Sequence, residues 1–149
     1  MGTWLTEAEL ETRYGAARLL ALADRDGNGV ADTGVIAAAI DEAESRVASR
    51  LRVRYQPGDL PTSTATASAA LKRVVAQLAF FYLHELHDVK GQDVYDARDG
   101  ALSELSDMVR GHAGLLLAGE PDVDQSRPQV LTTKTSDDAR FTLEAMEDW

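Results

Sequence analysis

One stretch of this chain constrains its fold more than any other. From about Thr66 to His87, apolar residues recur at helical spacing and then spread round the whole circumference. Leu71, Val74, Val75, Leu78, Ala79, Tyr82 and Leu86 mark one face, the pattern of an amphipathic helix. Phe80, Phe81 and Leu83 carry apolar character onto the other faces. A helix that is apolar all round must be covered on all sides, so the segment is either the centre of a bundle or packed on a second subunit. The 149 residues suffice for one sizeable core.

The flanking segments repeat the helical pattern. Thr6 is an N-cap residue, with Glu7 and Glu9 in the first turn where the helix dipole favours acids. Gly15 interrupts, and a short second helix, Ala16 to Ala23, carries Leu19, Leu20 and Leu22. Asp32 is the next expected cap. Val35, Ile36, Ala39, Ile40, Ala43, Val47 and Leu51 then follow one face of a helix running to about Tyr55, where Pro57-Gly58 stops it. Residues 56–66 form a polar loop. Beyond the central segment, Asp93 is the expected cap of a helix bearing Val94, Ala97, Ala101, Leu102, Leu105, Met108, Val109 and Leu116, interrupted by Gly100, Gly111 and Gly114 and finished by Gly119 and Pro121. The expected fold class is all-α: a compact bundle of about four to five helices over residues 1–118, with an extended C-terminal arm, 119–149, ending in a short helix.

The arm differs in character from the body. It carries eight acids against three bases, a charge of −5, half the net −10 of the chain. Residues 129–135 are β-branched and strand-like. Ser136 caps a last helix in which Phe141, Ala145 and Trp149 recur every four residues, with Leu143 and Met146 among them. A helix of about 12 residues is marginal alone in water, so Phe141, Leu143, Met146 and Trp149 are expected to meet a partner surface.

Composition removes several classes of function. The absence of cysteine excludes disulfides and Cys-based metal sites. Apolar runs such as Leu115 to Ala118 fall far short of the roughly 20 residues of a membrane span, and Met1 to Thr6 shows no secretory signal. A net charge of −10 argues against wrapping nucleic-acid phosphate. No P-loop, nucleophile elbow, Rossmann glycine set or cysteine nucleophile is present. Neither an enzyme activity nor a cofactor is expected.

Three clusters remain. Asp24, Asp26, Asn28 and Gly29 match the opening of a calcium loop, and Asp32 falls at its ninth position. The twelfth position, where a bidentate Glu closes such a loop, is Val35. The expected reading is a tight turn, with Gly27 and Gly29 at positive φ and the Asp and Asn side chains bonding local amides. The rival is a calcium-responsive protein-binding module using Asp24, Asp26, Asn28 and Asp32. His84 and His87 are one residue too close for the H-E-x-x-H zinc signature and are read as solvated or interface histidines, and His112 as structural. Arg46, Arg50 and Arg54, four apart, form a basic stripe with Arg52 beside it, partly paired by Glu42, and offer a contact for an acidic partner surface such as the arm of a neighbouring copy.

These pieces occur in a familiar order. Leu5-Thr6, Leu10 and Arg13-Tyr14-Gly15 precede the acidic block Asp24 to Gly29. Ile36-Ala37-Ala38-Ala39-Ile40-Asp41-Glu42-Ala43 and Leu51-Arg52-Val53-Arg54-Tyr55 follow, then the Pro-containing loop. The order resembles the Mu-like phage family of small head–tail connector, or adaptor, proteins over roughly residues 3 to 118. The loop Gln56 to Pro61 is looser than the Leu-Pro-Leu-like segment usual there. The resemblance implies an all-helical structural subunit of a tailed-phage virion. It implies a ring of copies, often twelve, beneath the portal protein, extending the DNA channel and supporting the next tail or stopper protein. DNA would pass without specific binding, the C-terminal arm would dock on the portal, and no membrane would be involved. The place implied is the virion neck, assembled in the host cytoplasm.

Overall fold

Residues 4–85 and 91–113 are described by the computed structural model. Among them five helices form and no strand: α1 (Glu7–Tyr14), α2 (Ala16–Ala23), α3 (Val35–Leu51), α4 (Ala69–Glu85) and α5 (Gln92–Arg110). The arm, with its strand-like segment and its last helix, lies outside the described residues, as do Leu86 and His87.

The all-apolar segment is the centre of the bundle. In α4, Leu71, Val74, Val75, Ala76, Leu78, Ala79 and Leu83 are all but inaccessible, and Phe80 and Phe81 are buried on its other sides. The helices α3 and α5 flank it and also touch each other, while α1 and α2 close the remaining face. Each fully buried Leu, Val or Phe side chain contributes about 1.5–3 kcal/mol, so α4 supplies the largest share of the apolar stabilisation. Aromatic contacts extend it outward. Tyr14 stacks on Phe80 with centroids 4.1 Å apart, the Arg18 guanidinium sits 4.7 Å from the same ring, and Tyr95 meets Phe81 edge-on at 5.9 Å. Burial pushes the Tyr14 hydroxyl above its usual range, opposed by the charges of Arg13 and Arg18.

Helix boundaries follow local hydrogen bonding. Thr6 does cap α1, and Glu9 completes a capping box: Glu9 N donates to Thr6 Oγ1 at 3.2 Å and Thr6 N donates to Glu9 Oε2 at 2.9 Å. Gly15 separates α1 from α2 as expected.

Other expected boundaries are corrected. Asp32 does not cap α3; Gly34 holds that position, because the Asp32 carboxylate is already taken by Arg25 N at 3.1 Å. The same helix stops at Leu51, and residues 52–55 follow as tight turns, with Val53 N and Arg54 N donating to the carbonyls of Arg50 and Leu51. On α4 the first turn begins at Ala69, where the Ser68 hydroxyl accepts from Leu71 N at 3.2 Å. Asp93 lies inside the first turn of α5, whose N-cap is Gly91. That helix ends at Arg110, well before Gly119. Gly111 takes φ +81°, His112 N donates to Asp107 O at 2.9 Å and Gly111 N to Met108 O at 3.3 Å, the double closure of a Schellman motif.

Candidate functional surfaces

The N-terminal segment is held by a carboxylate that no sequence motif singles out. Glu44, only 9 % exposed, lies on the inner side of α3. Its Oε1 accepts from Trp4 N at 2.7 Å and from Leu5 N at 3.0 Å. The Trp4 indole donates from Nε1 to Pro61 O at 2.6 Å. Residues 4–5, α3 and the Pro-containing loop are thereby tied at one point, with the Trp4 and Leu5 side chains in the core. Spacing alone carries a signal for it: Ile36, Ile40 and Glu44 fall four apart, so Glu44 continues the apolar face. A second tie runs from α1 to α4, where Lys72 Nζ meets Glu9 Oε1 at 2.6 Å and holds the Glu9 carboxyl below its usual range.

The acidic block folds on itself. Asp24 Oδ1 accepts from Gly27 N at 2.8 Å and Asn28 N at 3.1 Å, and its Oδ2 accepts from Gly29 N at 2.8 Å. Asp26 accepts from the Asn28 amide and side chain, and Asn28 Oδ1 accepts from Val30 N at 2.7 Å. Asp32 N donates to Ala23 O at 3.0 Å and closes the loop. Gly27 and Gly29 sit at φ +72° and +82°, which only glycine adopts without strain. The Gly29 amide is the largest cause that holds the Asp24 carboxyl below the usual aspartate range. Of the four candidate calcium ligands, Asp24, Asp26 and Asn28 orient local amides, and Asp32 fixes the end of the loop. Among the described residues no group of three or more His, Asp or Glu side chains is arranged to hold a metal ion.

The arginine stripe is only partly a helix face. Arg46 and Arg50 stand exposed on α3, whereas Arg54 lies in the turn beyond it. Arg54 leans over the Tyr55 ring at 5.6 Å, and its guanidinium rests on Gly111, so that any side chain at 111 would collide with it. The expected Glu42–Arg46 ion pair does not form within 4 Å. Instead both residues line a cleft of about 310 Å³ between α3, α4 and α5, with Tyr82, Glu85, Arg98 and Leu102. Burial raises the Tyr82 hydroxyl, Arg46 opposes it, and Glu42 and Glu85 reinforce it. Val53, 77 % exposed, follows Arg50 at the surface. His84 packs edge-on against Phe80 at 4.6 Å, and His112 lies 3.7 Å from Asp107 at the end of α5. The arm residues Phe141, Leu143, Met146 and Trp149 lie outside the described residues.

The fold and these surfaces define a small all-α bundle with a filled centre, presenting its chemistry as charge along its outside. The chain belongs to the bacteriophage Mu Gp36 family: the family model described as Bacteriophage Mu, Gp36 matches residues 4–134. It is therefore a phage-associated protein, and the match covers both the bundle and the first part of the arm. No curated protein matches it.

Proposed function

We propose that this protein is a structural head–tail adaptor subunit of a tailed-phage virion, working by assembly and without catalysis. Copies form a ring, of about twelve as the family resemblance implies, under the portal protein. The ring extends the DNA channel and supports the next tail or stopper protein. The observation that carries the reading is the family match across most of the chain. Two physical features agree with it. A charge of −10 lets packaged DNA slide past a channel wall rather than stick to it. The arm combines Phe141, Leu143, Met146 and Trp149 with excess acid, which suits an apolar groove edged by bases on the portal. Among the described residues no helix is long and apolar enough to cross a membrane.

Co-purification with the cognate portal ring tests the proposal. The full chain is expected to bind, and a chain lacking residues 136–149 to keep the helical circular dichroism of the body but fail to attach. Trp149→Ala is expected to weaken docking by about 2 kcal/mol or more. Complete necks assembled from the truncated chain would overturn the arm as anchor. A full chain that never binds portal would overturn the adaptor reading itself.

A further inference from the structure

The four arginines at the end of α3 stand out in an acidic protein. Lys72, Arg73 and Arg98 each meet a carboxylate within 4 Å. Among the described residues, Arg46, Arg50, Arg52 and Arg54 form no such pair, nor do Arg13, Arg18, Arg25 and Arg110; the first four differ in lying within nine positions of the chain. Arg46, Ser49, Arg50 and Val53 follow one another along one side of α3 and the turn beyond it, with Arg46, Arg50 and Val53 at spacings of four and three and exposed. Arg46 shares its cleft with Arg98 and Leu102 of α5 and with the carboxylates of Glu42 and Glu85, neither of which meets it within 4 Å, and Arg54 touches Gly111 at the end of α5. The basic stripe therefore runs beside α5 and reaches its C-terminal end at Gly111.

The chain beyond that point carries the opposite charge. Glu120, Asp122 and Asp124 lie within five residues of one another, with no base among them. Glu120 is nine residues on from Gly111, a reach of up to about 30 Å when extended. Along α3, Arg50 lies only about 6 Å from Arg46, and Arg54 follows in the turn beyond the helix. A short tether also gives the acidic segment an effective concentration of the order of millimolar at this surface.

We propose that residues 119–124 dock on the Arg46–Arg50–Arg54 stripe of their own subunit. The docked segment neutralises the basic patch of the body. This deepens the adaptor reading by saying how the arm leaves the body, but its test needs no portal. Failure of the docking would leave portal binding to be judged separately.

The chain has no cysteine, so disulfide trapping is clean. Ser49→Cys with Val123→Cys in the full chain, oxidised at low salt, is expected to give an intramolecular bond, seen as a faster-migrating monomer on a non-reducing gel. Adding Arg46→Glu and Arg50→Glu, both at exposed positions, is expected to cut the trapping rate about tenfold. Asp122→Lys with Asp124→Lys in that background is expected to restore it, which a merely misfolded variant would not do. Salt at 1 M, where screening acts within about 3 Å, is expected to slow the wild-type pair as the reversal does. Disulfide-linked dimers as the main product would overturn the proposal in favour of docking on a second copy. A rate indifferent to charge reversal would overturn it outright.

Discussion

Two carboxylates in this protein do the same chemistry at very different range. Glu44 accepts two backbone amides from residues 40 and 39 positions away, in a site almost closed to solvent. Asp24 accepts three from residues three to five positions away, at the surface. The first fixes tertiary structure, because without it two buried N–H groups lose their acceptor. The second fixes only the course of a loop, because water can replace it at little cost. Equal chemistry thus carries unequal weight, and burial together with sequence separation decides which bond matters.

The largest expected effect lies on the buried side of this comparison. Trp4→Ala removes a core aromatic and its bond to Pro61 O, and is expected to cost about 3–5 kcal/mol in chemical denaturation. A loss below about 1 kcal/mol would mean that the N-terminal segment is an ornament on the bundle. Glu44→Ala comes next, at about 2–4 kcal/mol, since it orphans the Trp4 and Leu5 amides. Glu44→Gln keeps an acceptor and is expected to recover most of that loss; equal damage from both would show that charge, not acceptance, is what counts. Asp24→Ala is expected to shift the melting temperature least of the three while loosening amide-exchange protection at Gly27, Asn28 and Gly29. Its pH dependence has a definite sign. The folded Asp24 carboxyl titrates below its unfolded range, so its contribution is present above the ordinary aspartate value and fades as pH falls through the folded one. A loop whose exchange protection is unchanged on acidification through that range would break the comparison.

Local features are legible in the sequence and distant ones are not. Thr6 as a cap, Gly15 as a break and the all-round apolar α4 depend on neighbours within a few residues, and each is realised. The Asp24–Asp32 turn belongs with them. Asp32 shows the limit: it carries the right side chain for a helix cap, but the loop claims it first. Glu44 shows a deeper limit, because the amides that justify a buried acid belong to residues at the other end of the chain's first half. Spacing alone makes the arginine stripe one helix face, yet Arg54 reaches its place through a turn and a contact with Gly111 that periodicity does not encode.

The tie between Trp4, Glu44 and Pro61 also orders events in time. A ribosome makes Trp4 before either partner: Glu44 follows it by 40 residues and Pro61 by 57. Residues 4–5 are therefore synthesised well before the groups that seat them, and for that interval the indole is on offer to whatever nascent-chain escort stands at the tunnel mouth.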